Sequence, residues 1–243
     1  MVEGPVAAGK SNFAKQLAEQ FDMSYYPEAN QDMLYTNNYG FNLKQLDPQI
    51  PEMCRTYDIN NFLKNPKHKS VAGFQFAQYT IKFSLYIDAV AEVLNTGRGV
   101  VLDRSPYSDF VFVEAMHQQG YLSSEVYEIY YNVRRRSLSE LWKPHLIVYL
   151  DVPVNKVLEN IKNRNISYEV NSQVLNSKYL SKMEEIYKQK YLTEMQEHSA
   201  LLIYDWSHGG DIEIVVEDIE KIDYSERNDR EKDDRFLQEM RFK

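Results

Sequence analysis

An α/β fold, with a parallel sheet of the P-loop NTPase type flanked by helices, is predicted by three observations. A phosphate-binding loop, Gly4-Pro5-Val6-Ala7-Ala8-Gly9-Lys10-Ser11, stands at the start of the chain. Apolar residues at helical spacing begin directly behind it. Short, wholly apolar runs then alternate with further helical stretches, which implies βαβ units around a sheet whose strands are buried on both faces.

Taken in order, only Met1-Val2-Glu3 precede Gly4. The strand feeding such a loop is ordinarily about five residues long. A truncated first strand is therefore expected, with any targeting segment upstream and out of view. Phe13, Leu17 and Phe21, with Ala14 and Ala18 beside them, predict an amphipathic helix from about Ser11. Ser24 to Tyr26 reads as a strand ending at Pro27-Glu28, and residues 30–57, rich in Asn, Asp, Gln, Pro and Tyr, as an irregular insertion. A long helix is predicted over Phe74 to Leu94, stopped by Gly97-Arg98-Gly99. Val100 to Leu102 is a buried strand, followed by helices over 107–118 and 123–141. Leu146 to Leu150 is the next strand, then helices over about 154–163 and 175–197, a last strand at Leu201 to Tyr204, and a final helix marked by Val215, Ile219 and Ile222.

Residues 1–223 thus read as one domain of a 243-residue chain, and 224–243 as a charged C-terminal extension, either solvated or a partner-binding arm. A 43% apolar and 26% charged composition is that of an ordinary globular protein, and no apolar run reaches the roughly 20 residues that cross a bilayer. A net charge of −8 argues against general nucleic-acid binding, which depends on clustered Lys and Arg. The single cysteine, Cys54, excludes an intramolecular disulfide and cysteine-rich metal sites. His68, His117, His145, His198 and His208 show no metal-ligand spacing. Arg134-Arg135-Arg136 reads as a solvated or docking face of its helix.

The residues able to carry chemistry cluster around the loop. Gly4, Ala7, Ala8 and Gly9 allow backbone N–H groups to converge on phosphates, Lys10 can reach the β and γ phosphates, and Ser11 can ligate Mg²⁺. Glu28, after a strand end, is either a base for a substrate hydroxyl or an ordinary surface carboxylate. Gln75 is either a reader of a nucleobase edge or a surface amide. Asp103 is placed to hold Mg²⁺ and Arg104 to steady phosphate or a carboxylate, with a structural ion pair as the alternative.

In order and spacing, the loop, Pro27-Glu28, Gln75, Asp103-Arg104-Ser105, Tyr107-Ser108-Asp109 and Leu150-Asp151-Val152-Pro153 resemble the deoxynucleoside kinase family across nearly the whole chain. The resemblance implies a deoxynucleoside kinase-like fold, with Glu28 as base for the sugar 5′-hydroxyl, Gln75 on the base edge, and Arg104 beside base and phosphate. It also exposes departures. The family writes Glu-Arg-Ser where Asp103-Arg104-Ser105 stands. Its arginine-rich lid is reduced here to Lys162 and Arg164 within 161–167. Its sugar-contacting Tyr and Glu align with Phe62 and Ser181, and a base-framing Arg with Lys82.

Segments such as Gly97 to Ser105, Ser108 to Met116, Pro144 to Pro153 and Val215 to Glu220 are more similar to a specialised branch, an accessory subunit of mitochondrial respiratory complex I. That resemblance implies a non-catalytic role on the matrix side of the inner membrane. The partners would be other complex I subunits, with no nucleic acid, and membrane association would come only through the complex. A bound nucleotide (ATP, ADP or a dNTP) with Mg²⁺ is expected, and no FMN or iron–sulfur cluster, since cluster-binding cysteines are lacking. The alternative is an active deoxynucleoside kinase transferring the ATP γ-phosphoryl.

Overall fold

The computed structural model of the protein describes residues 1–139 and 141–224. The charged C-terminal extension expected over 224–243 lies, from residue 225 onward, outside the described residues.

Strand β1 (Val2–Glu3) leads into the loop, and α1 (Lys10–Gln20) leaves it, burying Phe13, Ala14, Leu17 and Ala18 as their spacing predicts. β2 spans Ser24–Tyr26. The insertion at 30–57 is more ordered than predicted: it contains α2 (Asp32–Tyr35) and 3-10 turns at Leu43–Gln49 and Glu52–Cys54. These are local structures, set by contacts such as the Asn42 side chain accepting from the Lys44 amide, and so leave no amphipathic period to read.

Next, α3 (Ile59–Lys64) starts in a capping box between Asp58 and Asn61, and α4 (Val71–Thr96) ends at Gly97 in the left-handed conformation that glycine permits. After β3 (Val100–Leu102), α5 (Phe110–Gln118) begins later than position 107, because Tyr107 N–H donates to Ser105 Oγ in a local turn. α6 (Ser124–Leu138) is capped by Ser123 and stops short of 141. Then follow β4 (Leu146–Asp151), α7 (Val154–Arg164) and a short α8 (Ser167–Val170). The helix predicted over 175–197 is divided: α9 (Ser177–Ile186) passes through a π-helical turn at Tyr187–Tyr191 into α10 (Leu192–Gln196). β5 (Ala200–Asp205) and α11 (Ile212–Glu220) complete the domain.

All strand pairs are parallel. One ladder runs β1-β4-β5 and another β2-β3, joined by a bridge between Val2 and Asp103, with Arg104 N–H donating to Val2 O at 3.0 Å. Val2, Val101, Val148 and Leu150 pack against α1 and Val215 of α11 on one face. Leu102, Ile147 and Tyr149 pack against α4, α5 and α9 on the other. Burial on both faces is why the strands read as unbroken apolar runs. Among the described residues no helix is long and apolar enough to cross a membrane.

Candidate functional site

The C-terminal ends of β1, β2 and β3 deliver the loop, Glu28 and Asp103-Arg104 to one edge of the sheet, where ligands bind in open α/β folds. The loop is fixed by close packing. Gly4 adopts φ +147°, and a Cβ there would stand 2.6 Å from Leu150 O, so only glycine fits. Ala7 (φ 57°) and Gly9 (φ 83°) also take positive φ, turning successive amides inward. Lys10, only 5% exposed, donates its ammonium to Pro5 O at 2.8 Å. Burial, and then the neighbouring Arg104, lower its pKa to about 8.

Beside the loop, Ser11 Oγ donates to Asp103 Oδ2 at 2.5 Å, while Asp103 Oδ1 is buried without a hydrogen-bond partner. Burial raises the Asp103 pKa. An orphaned carboxylate oxygen next to a hydroxyl is a hard-oxygen donor set that suits Mg²⁺. Arg104 sits at φ 63°, donates to Gly4 O at 3.0 Å and pairs with Glu28. For Glu28, burial pushes upward, but Arg104, Lys10 and Lys82 outweigh it and hold the pKa near 2. Glu28 therefore stays ionised.

These groups open into a cleft of about 650 Å³. Val6, Ala7, Gly9, Lys10 and Ser11 line it together with Glu28, Gln75, Arg104 and Arg164, so most predicted site residues meet in one place. Gly4 and Ala8 stand behind the lining, Ala8 packing with Val157, Ile161 and Leu180. Phe62, Phe74 and Met116 form an apolar wall. Ser181 does not join them. It lies on the exposed face of α9, because Tyr179, two residues earlier and so on the other side of the helix, is the residue that lines the cleft. Ser181 therefore supplies no contact in the cleft.

In the same cleft, Asp109 is a hub to which the sequence reading gave no role of its own. Fully buried, it accepts from Gln75 Nε2 at 2.8 Å, Tyr130 OH at 2.8 Å and Lys82 Nζ at 2.6 Å. Gln75 is thus a buried, oriented amide rather than a surface one. Lys82 and Arg104 also lie over the ring of Phe112, at 4.6 and 4.9 Å. Beyond its place in the family-like segment Tyr107-Ser108-Asp109, the sequence signal for Asp109 is a Ser-Asp pair before an apolar run, which reads equally well as a helix start.

Charge around the cleft is balanced. Its five lining cations, Lys10, Lys44, Lys82, Arg104 and Arg164, face five lining carboxylates, Glu28, Asp32, Asp58, Asp109 and Glu169. Lys44 pairs with Asp32 and Asp58, and Arg164 grips Glu169 with contacts of 2.5 and 3.1 Å. Arg134, expected on a solvated face, instead pairs with Glu194 at 2.9 Å and covers Phe110, leaving Arg135 and Arg136 exposed.

Glu3 lies beneath the loop, fully buried, accepting from Ser105 Oγ and Tyr187 OH at 3.4 Å each. Burial, opposed by Arg104, pushes its pKa from 4.5 up to about 7. Between those values the folded chain binds more protons than the unfolded one, so this group's contribution to stability falls as pH rises from 4.5 to 7. Denaturation midpoints measured across that window are expected to decline less steeply in Glu3→Gln than in the wild type; parallel profiles would mean that Glu3 does not titrate there.

The sequence model of the deoxynucleoside kinase family matches residues 1–241. The chain is 34% identical over 99% of its length to the NADH dehydrogenase [ubiquinone] 1 alpha subcomplex subunit 10, mitochondrial, of Rattus norvegicus, and 35% identical over 92% to that of Mus musculus. It spans 66% and 61% of those relatives. A deoxyguanosine kinase of Dictyostelium discoideum is 30% identical over 90% of the chain and 67% of its own length. In fold, a deoxyadenosine kinase from M. mycoides with bound dATP superposes with a TM-score of 0.64 at 17% identity, over 90% of this chain and 95% of that one. With a match running through every element that builds the cleft, the chain belongs to the deoxynucleoside kinase family.

Proposed function

We propose that this chain is an accessory subunit of the mitochondrial NADH:ubiquinone oxidoreductase, on the matrix side of the inner membrane, which holds a nucleotide at its loop without transferring phosphoryl groups. The observation that carries the reading is the 34–35% identity to the subunit-10 relatives, spread over 92–99% of this chain. Its contribution is to assembly or stability of the complex; the redox chemistry belongs to other subunits.

The cleft supports the nucleotide half of the reading. Loop amides and the N-terminal end of α1 favour phosphate. Lys10 adds a charge, and the wall of Phe62, Phe74 and Met116 accepts an apolar ring face. Gln75, oriented by Asp109, offers its amide oxygen to a base edge. Ser11 and Asp103 would hold Mg²⁺, which supplies neutralisation of phosphate charge. Against transfer stands the lid: a free arginine clamp on the moving phosphoryl can be worth several orders of magnitude, whereas Arg164 is already gripped by Glu169.

Tagged chain isolated from mitochondria under mild detergent is expected to co-purify with NADH:ubiquinone reductase activity and to release a nucleotide on denaturation. Recovery only as free monomer or dimer would overturn the subunit reading. A working kinase is the second reading, favoured by the ionised Glu28 beside Arg104. It requires ATP consumption that depends on an added deoxynucleoside.

A further inference from the structure

The insertion between β2 and α3 is held in shape by polar contacts. Lys44, near its middle, pairs with Asp32 at its start and Asp58 at its end, at 2.6 and 2.9 Å. Thr36 and Asn42 form a bridge, the Asn37 side chain accepts from the Tyr39 and Phe41 amides, and Asp47 accepts from the Thr56 amide and hydroxyl. The segment is thereby gathered around one ammonium, while its apolar side chains stay outside. Nearly half of the large apolar residues that stand exposed among the described residues fall within 33–53, with Tyr39 at 95% and Met53 at 77%. Met33, Leu34, Phe41, Leu43 and Leu46 are the rest, and none of them joins a core cluster. Single exposed apolar residues are ordinary, but a concentration of them on an ordered segment marks an interaction surface.

The charges of the segment select the kind of partner. Asp32, Asp47, Glu52 and Asp58 stand against Lys44 and Arg55, and Lys44 is already engaged by two of the acids. A segment that lies on an anionic bilayer carries the opposite excess, with Lys and Arg around its apolar side chains. Tyr, Phe and Met are instead enriched at the buried centre of contacts between proteins. Resting on the accessory-subunit reading above, we infer that residues 32–58 are the docking element by which this chain seats on another subunit of the oxidoreductase, one presenting an apolar patch flanked by lysine or arginine side chains. None of the exposed apolar side chains within 33–53 lines the nucleotide cleft, so docking and nucleotide holding use different residues.

The test places a photo-crosslinker on the segment, Tyr39→p-benzoylphenylalanine, in the tagged full chain, which is irradiated in mitochondria and isolated under mild detergent. A covalent adduct with another subunit is expected. Adducts only with lipid, only with a second copy of this chain, or none at all while NADH:ubiquinone reductase activity co-purifies, overturn the assignment. In parallel, Tyr39→Ser/Leu46→Ser/Met53→Ser should lower the co-purified activity about tenfold, the order expected of a small cluster of interface anchors. The pair Ile129→Ser/Val133→Ser, also exposed but on α6, should change it less than about twofold. The isolated triple variant should keep its melting temperature, because none of the three side chains is in the core. Undiminished activity in the triple variant, or an equal loss in both variants, overturns the assignment as well. Failure of the wild-type chain to co-purify with the activity would instead remove the accessory-subunit reading on which the inference stands.

Discussion

Asp109→Ala is expected to cost roughly 3–5 kcal/mol of stability, the usual penalty for stripping one partner from a buried ion pair. The pair is unusually dry, with side-chain exposures of 8% for Lys82 and 0% for Asp109. Removing the carboxylate leaves an ammonium, the Tyr130 hydroxyl and the Gln75 amide competing for nothing. At about 2–4 °C per kcal/mol for a chain of this size, the melting temperature should drop by roughly 10 °C. The double variant Lys82→Met/Asp109→Leu separates charge from packing. It removes both ions, so about half of the loss should return, the remainder being the unpaired hydroxyl and amide at ~1–3 kcal/mol each. A single variant within about 1 kcal/mol of wild type would mean that water reaches this hub.

Lys10→Ala carries the second large effect, on ligand response rather than on the fold. A ligand that binds only the native state stabilises it by roughly 2.7 kcal/mol at a hundredfold excess over Kd. For this chain that is a rise of roughly 5–10 °C in melting temperature. The rise seen with Mg²⁺ and nucleotide should vanish in Lys10→Ala, while the unliganded melting point moves by no more than a few degrees. Lys10 is fitted for this role by its low pKa near 8, imposed by burial and Arg104: a bound phosphate would restore what burial removed. A wild-type chain whose melting point ignores every nucleotide tested would refute the role.

Much of this architecture is legible in the sequence because its signals are local. The loop pattern places Gly4 to Ser11; the apolar runs at 100–102 and 146–150 announce strands buried on both faces; Gly97 marks a helix stop, which its positive φ in the structure explains. What is not legible depends on contacts between distant segments. Asp109 becomes a hub only when α4 and α6 bring Gln75, Lys82 and Tyr130 around it, across 34, 27 and 21 positions of sequence. Glu3 looks like any acidic residue until Ser105 and Tyr187 close over it. The abundance of tyrosine, mute in composition, resolves into core: Tyr107, Tyr130, Tyr149, Tyr187 and Tyr191 are all fully buried. Arg164 was visible as a lid remnant, but its capture by Glu169 required the short α8, too brief to leave a periodic signature.

The π-helical turn at Tyr187–Tyr191 also bears on how this sequence can drift. It carries a widened turn in the middle of a helix, and the residues on both sides have settled their buried faces around it: Met183 and Ile186 before, Leu192 and Met195 after. An α-helix advances about 100° per residue. Were the same residues wound at the ordinary pitch, everything downstream would turn by about that angle, carrying Leu192 and Met195 out of the core. Deleting one residue there, such as exposed Gln189, would instead absorb the widened turn, returning the helix to ordinary winding with Leu192 and Met195 still facing inward. This is a place where the chain can shorten by one residue without disturbing the buried faces on either side.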